Sequence, residues 1–351
     1  MDRETRDMLL ETADRFFTER CGREVVNGVE KGVWPADLWK EIEEMGLPLI
    51  AVDEDEGGVG GTLADMLALL RMAGSHAVPV PLAETALGNL LVANAGGRPA
   101  TGPSAVALGT LTLDGNRVSG TVARVPFASV ADRFVTVAGT GKGAKVAVVA
   151  AANATVADTP SHAGEPYGTV SFDNAVCEYV GASSVDAGRA YELAALVRAM
   201  QMAGAADKVL ATAVEYCKQR AQFGRPISTF QAIQQMLSEL ASYVAATIAS
   251  AEAASRDADE GGLATGGSFS IAAAKSQASD FAQRIAAISH QSMGAMGFTH
   301  EHILHHYTRR LWVWRRDFGS ETFWGEKIGA ACAKAGPDAL WPSLTASRYA
   351  A

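Results

Sequence analysis

Along the first hundred residues the apolar positions recur at spacings of three and four. In residues 4–20, ETRDMLLETADRFFTER, Met8, Leu9, Ala13, Phe16 and Phe17 make one stripe with charged residues opposite, which predicts an amphipathic helix. Residues 35–45 repeat the pattern through Leu38, Trp39, Ile42 and Met45, with Pro35 at the start and Gly46 at the stop. After a Gly-rich turn at 56–61, a third helix is predicted over 63–72. An extended segment at 78–82 and an Ala/Leu-rich run to Ala95 follow.

The rhythm then changes. Segments 105–113, 117–124, 134–138, 145–150, 169–172 and 178–180 are short and rich in Val and Thr, with turn signals such as Asp114-Gly115-Asn116 between them. No helix of crossover length separates them, so a small antiparallel barrel or sandwich is expected. From about Val185 the helical period returns, over 185–219, 228–257, 268–293 and 299–315, lengths that imply a bundle. The expected fold is mainly α with a central β unit: an N-terminal helical domain (1–100), a middle β-barrel domain (101–182) and a C-terminal helical bundle (183–351).

Composition narrows the function classes. With 351 residues, 48% of them hydrophobic, the chain can bury a large core. A formal charge of −9 with no basic block argues against a nucleic-acid surface. Cys21, Cys177, Cys217 and Cys332 are scattered without a CxxC spacing, which suits a reducing compartment and supplies no metal or disulfide framework. No run of 18 apolar residues occurs and the N-terminus is charged from Asp2, so a cytoplasmic protein without a membrane span or export signal is expected.

Candidate chemistry concentrates late in the chain. Residues 220–231, RAQFGRPISTFQ, place a Gly-Arg-Pro step between two long helices, which reads as a fixed bend able to present Arg220, Gln222 and Phe223 to a polyanionic or ring-bearing ligand, or as an ordinary connection with an exposed arginine. The break Met293-Gly294-Ala295-Met296-Gly297 could let backbone approach phosphate, but it matches neither the dinucleotide fingerprint nor the P-loop. Five of seven histidines fall in one stretch, and on a helix His302 would share a face with His305 and His306. The only close acid is Glu301, which projects sideways from that face, and there is no HExxH; no metal is expected. Trp312, Trp314 and Trp324 with Arg309, Arg310, Arg315 and Arg316 could stack on a ring ligand or pack in an oligomer interface. GxSxG and Ser-His-Asp or Cys-His signatures are absent, so hydrolase chemistry has little support.

These stretches carry a family likeness. The chain resembles the acyl-CoA dehydrogenases, most specifically at RAQFGRPISTFQ (220–231) and QSMGAMGFTHEHILHHYTRR (291–310), with support from VSGTVARVPFASVADRFVTVA (118–138). The resemblance implies FAD as cofactor, an acyl-CoA thioester as substrate, an electron-transfer flavoprotein or similar acceptor, and a homo- or hetero-oligomer, dimer or tetramer. It implies that Arg220, Phe223 and Gln231 contact the FAD of a neighbouring subunit, Arg220 at the pyrophosphate, with Gln222 beside them. Gln291, Gly294 and Ala295 would line the adenosine-pyrophosphate part, Ala295 standing where the family usually has a second glycine. The family reaction removes an α-proton with a glutamate and passes the β-hydride to flavin, with the developing enolate held by hydrogen bonds.

The departures bear on that chemistry. The two positions at which the family carries its base hold Phe318 and Ala194, neither able to accept a proton. Glu192, two residues from Ala194, is the candidate base, although a two-residue helical step points it away; Glu321 is another nearby carboxylate and ranks no higher. The acidic, Gly-Ser-containing loop that ordinarily covers the flavin is missing between Leu91 and Val106. The reading this favours is one subunit of a heteromeric dehydrogenase, as in the bacterial enzymes for bulky steroid-side-chain thioesters. The alternatives are a self-sufficient enzyme with a relocated base and a non-catalytic scaffold or acyl-CoA-binding protein.

Overall fold

The computed structural model describes residues 3–338 and 341–342; residues 343–351, assigned by sequence to the C-terminal bundle, lie outside the described residues. Five helices come first: α1 (Arg3–Arg20), α2 (Arg23–Glu30), α3 (Ala36–Glu44), α4 (Leu63–Ser75) and α5 (Leu82–Asn94). The stripe of α1 buries Ala13 and Phe17 and leaves Met8 exposed. α2 escapes the periodicity argument because it is one short, polar segment with only Val26 and Val29 buried. α4 starts on a capping box, in which Thr62 Oγ1 accepts from the Asp65 amide and the Asp65 carboxylate accepts from the Thr62 amide.

Eight strands follow: β1 (Ser104–Val106), β2 (Thr112–Asp114), β3 (Arg117–Pro126), β4 (Arg133–Ala138), β5 (Lys145–Ala150), β6 (Thr155–Thr159), β7 (Tyr167–Val176) and β8 (Tyr179–Ala182). They form two four-stranded sheets, ordered β1-β4-β5-β8 and β2-β3-β7-β6. The expected closed barrel is therefore corrected to a sandwich. The predicted strand 105–113 splits: its start pairs in parallel with β4, while its end turns into an antiparallel hairpin with β3 in the other sheet. Val118, Phe134, Val170 and Phe172 fill the space between the sheets. Closure is unnecessary because α5 covers the outer face of the first sheet, Gly88 approaching Val135 closely enough that a Cβ would sit 3.1 Å from Val135 Cγ2.

The helical segment comprises α6 (Ala187–Gln219), a two-residue hairpin β9 (Ala221–Gln222) and β10 (Arg225–Pro226), α7 (Gln231–Glu260), α8 (Ser268–Met293), α9 (Leu304–Trp314) and α10 (Glu321–Ala335). α10 was not predicted, since only Trp324 of its sequence is buried. One continuous apolar cluster runs from Phe17 through Leu67 and Val135 to Leu196 and Trp324, so the N-terminal helices, first sheet and bundle share a core.

Two glycines decide how α4 meets α6. A Cβ on Gly204 would lie 1.8 Å from the Arg71 carbonyl oxygen, and one on Gly74 would lie 2.2 Å from that of Gln201. The helices cross backbone to backbone. Gly204→Ala is expected to cost roughly 1–3 kcal/mol or more through forced separation of the pair, read as a lower denaturation midpoint. Gly325→Ala on exposed α10, where nothing lies within 4 Å, is the control and should be neutral or slightly stabilising.

Candidate functional site

The bend at 220–231 is a hairpin. Gln222 faces Arg225 and Ala221 faces Pro226, and the turn residues Phe223 and Gly224 have φ of 52° and 79°. Two consecutive left-handed residues match the twist of a two-residue hairpin; glycine meets that demand freely, phenylalanine with strain. The result is a Phe223 ring 93% exposed, held edge-on 6.2 Å from Phe230, while Arg225 stacks over Phe230 at 4.3 Å. The Ile227 amide donates to the Arg220 carbonyl at 2.8 Å, closing the bend onto the end of α6. α7 then begins at Gln231 with no side-chain cap, so its first amides point outward beside the corner.

The second motif lies at the same end of the bundle. α8 stops at Gly294, whose φ of 61° breaks the helix, and a 3-10 turn carries the chain through 294–298. His290 pins that turn: Nδ1 is 2.7 Å from the Gly297 carbonyl, Nε2 is 3.0 Å from Thr308 Oγ1, and the ring stacks on Phe298 at 4.9 Å. The Cys217 thiol donates to the Ser292 carbonyl at 3.5 Å, tying the last turn of α6 to that of α8.

The residues singled out by sequence, Arg220, Gln222, Phe223, Gln231, Gln291, Gly294 and Ala295, are therefore gathered at one end, and all are exposed. Among the described residues no acid pairs with Arg220, and a Cβ at Gly294 would meet nothing within 4 Å. A free guanidinium, three primary amides, uncapped helix amides and a flat aromatic make a donor set that fits a pyrophosphate next to a ring system. This surface is open and does not by itself enclose a ligand.

The interior around Phe318 and Ala194 is tightly packed beside one small cleft. A cleft of ≈ 190 Å³ lies between β3 and Tyr191, Asp317 and Phe318. Phe318, at φ 52°, packs edge-on against Tyr191 at 6.0 Å, and Ala194 is fully buried. Glu192 is not among the residues lining the cleft; its carboxylate accepts from Arg189 at 3.0 Å and from Ser268 at 2.7 Å. Glu321 is held by Arg315.

Asp317 does line the cleft, but its oxygens are engaged: Tyr167 donates at 2.5 Å, Arg124 at 3.2 Å, and Arg198 Nε stands at 3.3 Å. Arg198, 1% exposed, also donates to Glu84 at 2.8 Å and to Gln201 at 2.6 Å. Burial pushes the Glu84 carboxyl up against the pull of Arg198, and burial together with Asp317 raises the Tyr167 phenol. Arg310 and Trp314 donate to the two oxygens of Glu165, each at 2.9 Å. Lys275 donates to the carbonyls of Arg315 and Gly319 at 3.0 and 2.7 Å, holding the segment that carries Phe318. Burial lowers this lysine to about 7.

Sequence reasoning missed this network. Its trace was single charges inside apolar runs, Glu84 in LAETALGNLL and Arg198 in LAALVRAMQM. The aromatic-basic tract divides accordingly. Trp314 and Trp324 are core residues, Trp324 donating to the Phe318 carbonyl at 2.9 Å, while Trp312 is exposed with Arg315 over its ring. Trp312, Arg309, Arg315, Arg316, Arg124 and His162 line a basic cavity of ≈ 790 Å³ that shares Arg124 and Arg316 with the small cleft.

Comparison with known proteins agrees along the chain. Residues 3–98 match the model of the acyl-CoA dehydrogenase N-terminal domain, and residues 187–323 that of the C-terminal domain. The chain is 35% identical to acyl-CoA dehydrogenase FadE34 of Mycobacterium tuberculosis over 82% of its own length, but spans only 41% of that protein. It is 30% identical to acyl-CoA dehydrogenase IpdE2 of the same organism, covering 88% of this chain and 91% of the relative. Among solved structures it superposes on a variant of the Tcur3481-Tcur3483 steroid ACAD with a TM-score of 0.84 at 24% identity, covering 95% and 98% of the two chains. The ChsE4-ChsE5 complex of Mycobacterium tuberculosis gives a TM-score of 0.81 at 23% identity, covering 96% and 99%.

Proposed function

Because the chain belongs to the acyl-CoA dehydrogenase family, whose members are FAD-dependent oxidoreductases, we propose that it acts as one subunit of a heteromeric acyl-CoA dehydrogenase. The observation that carries this reading is a contrast within one chain. The residues fitted to pyrophosphate and ring all face outward, and the small cleft beside Phe318 and Tyr191 offers no free carboxylate, its Asp317 being engaged by Tyr167, Arg124 and Arg198.

In this reading Arg220 takes a phosphate in a charge-assisted fork, the amides of Gln222, Gln231 and Gln291 orient the neighbouring polar groups, and Gly294 lets backbone approach without a Cβ in the way. The cofactor, when bound, supplies the two-electron acceptor for the β-hydride. The partner subunit supplies the base, since here Phe318 and Ala194 accept no proton, Glu192 serves an ion pair with Arg189, and Asp317 is engaged by Tyr167, Arg124 and Arg198. The two solved complexes named above pair two different components, which supports a subunit role. A bulky steroid-type thioester is the substrate class this analogy favours.

The basic cavity of ≈ 790 Å³ favours a second reading, a self-sufficient homo-oligomer that holds its own cofactor there. Co-expression decides between them. The chain alone is expected to purify colourless, and with its partner subunit yellow and bleachable by an acyl-CoA. A yellow chain that a thioester reduces without any partner counts against the heteromer.

A further inference from the structure

The histidine-rich stretch does not share a helical face as its spacing suggested. α9 starts at Leu304, and His302 sits before it with its ring Nδ1 accepting from the Leu304 amide at 3.2 Å. The fold supplies a different neighbour: Glu30, the last residue of α2, is brought against His305 and His306 from 275 or more positions away in the chain. We propose that Glu30, His305 and His306 form a binding site for a divalent transition-metal ion of the Zn²⁺ class.

Each residue offers one ligand atom, and the three atoms lie within 4.8 Å of one another. Tetrahedral Zn²⁺ with bonds of about 2.0–2.2 Å needs ligand atoms spaced by roughly 3.3 Å. Glu30 Oε1 and His306 Nδ1, at 3.1 Å, already match, so only His305 has to close in. Its tautomer suits this: Nδ1 donates to the His302 carbonyl at 2.7 Å, leaving Nε2 with a lone pair, the arrangement in which a carbonyl fixes the tautomer of a metal-binding imidazole.

His306 gives the second observation. It is 2% exposed, and its Nε2 is buried with no hydrogen-bond partner. If Nδ1 carries the proton toward Glu30, Nε2 keeps an unsatisfied lone pair. If Nε2 carries it, a lone pair on Nδ1 faces a carboxylate oxygen. Either tautomer is incomplete; a cation between Nδ1 and Glu30 removes the opposed lone pairs of the second, while its Nε2–H stays without an acceptor. The nitrogen and oxygen donors suit Zn²⁺ or Co²⁺ rather than Ca²⁺ or Mg²⁺.

A cation already competes for the site. The Arg309 guanidinium bonds to Glu30 Oε1, the oxygen that also faces His306, and among the described residues no hydrogen bond reaches Oε2. Arg309 also lines the basic cavity, so an ion on Glu30 would release its guanidinium toward that space. Arg310 is no competitor, being held by Glu165.

The site is tested on the full chain, with its partner subunit where one is present, by equilibrium dialysis against Zn²⁺ with elemental analysis and by the visible absorption of Co²⁺. A single equivalent is expected to bind. Glu30→Gln and His305→Ala should each weaken it by at least about tenfold, and Arg309→Met should tighten it by removing the competitor. Melting curves without metal verify that the variants fold; Glu30, His305 and Arg309 are all only partly buried. No uptake by the unaltered chain, uptake that Glu30→Gln and His305→Ala leave unchanged, or weaker binding in Arg309→Met overturns the site.

Discussion

Arg198→Met is expected to destabilise the protein by about 3–5 kcal/mol, the cost of leaving buried charges without their partner. Arg198 faces Glu84 and Asp317, which are 4% and 5% exposed, and its side chain is 1% exposed. Without the guanidinium, Glu84 must take up a proton or remain charged in a dry interior, and Asp317 depends on Arg124 and Tyr167 alone. A urea or thermal denaturation midpoint measures the loss. Combining Arg198→Met with Glu84→Leu should restore part of it, because an apolar pair of similar volume avoids the desolvation penalty that a lone acid retains. If the single variant melts like the unaltered protein, the interior is not held by these charges.

The second large effect is expected at Arg220. Its loss as alanine removes a charge-assisted contact worth about 1.5–3 kcal/mol, which corresponds to roughly 10- to 150-fold weaker flavin retention by the assembled enzyme. Arg220→Lys should recover only part, since an ammonium cannot make the two-pronged contact of a guanidinium. The fold should be indifferent, because Arg220 is exposed and no acid among the described residues pairs with it. Flavin titration of the apo-complex reads the effect, and unchanged retention with an unchanged melt would remove Arg220 from the cofactor contact. This separation of binding from stability contrasts with Arg198, where stability is the readout.

The corner at Arg220 was legible because it depends on local chemistry. Gly224 permits a left-handed turn, and Pro226 limits how the chain continues. That the corner is a hairpin lifting Phe223 into solvent was not legible, since Phe223 itself occupies the left-handed region against its intrinsic preference. The middle unit shows a similar division. Val- and Thr-rich segments marked most of its strands, but whether the sheets close was decided by how 104–114 divides between them and by α5 lying over one face.

By itself the sequence determined the order of helical, β and helical segments, the family to which the chain belongs, and the two motifs at the end of the bundle, because periodicity and turn chemistry act over a few residues. Only the tertiary structure decided which charges meet. Glu84 finds Arg198 across 114 positions, Glu165 finds Arg310 across 145, and Glu30 finds His306 across 276. A buried charge leaves a mark in sequence as an intruder in an apolar run, but its partner is selected by the packing of the whole core. For this reason it could be read early that Phe318 and Ala194 accept no proton, while the engagement of Glu192, Asp317 and Glu321 by other residues could not.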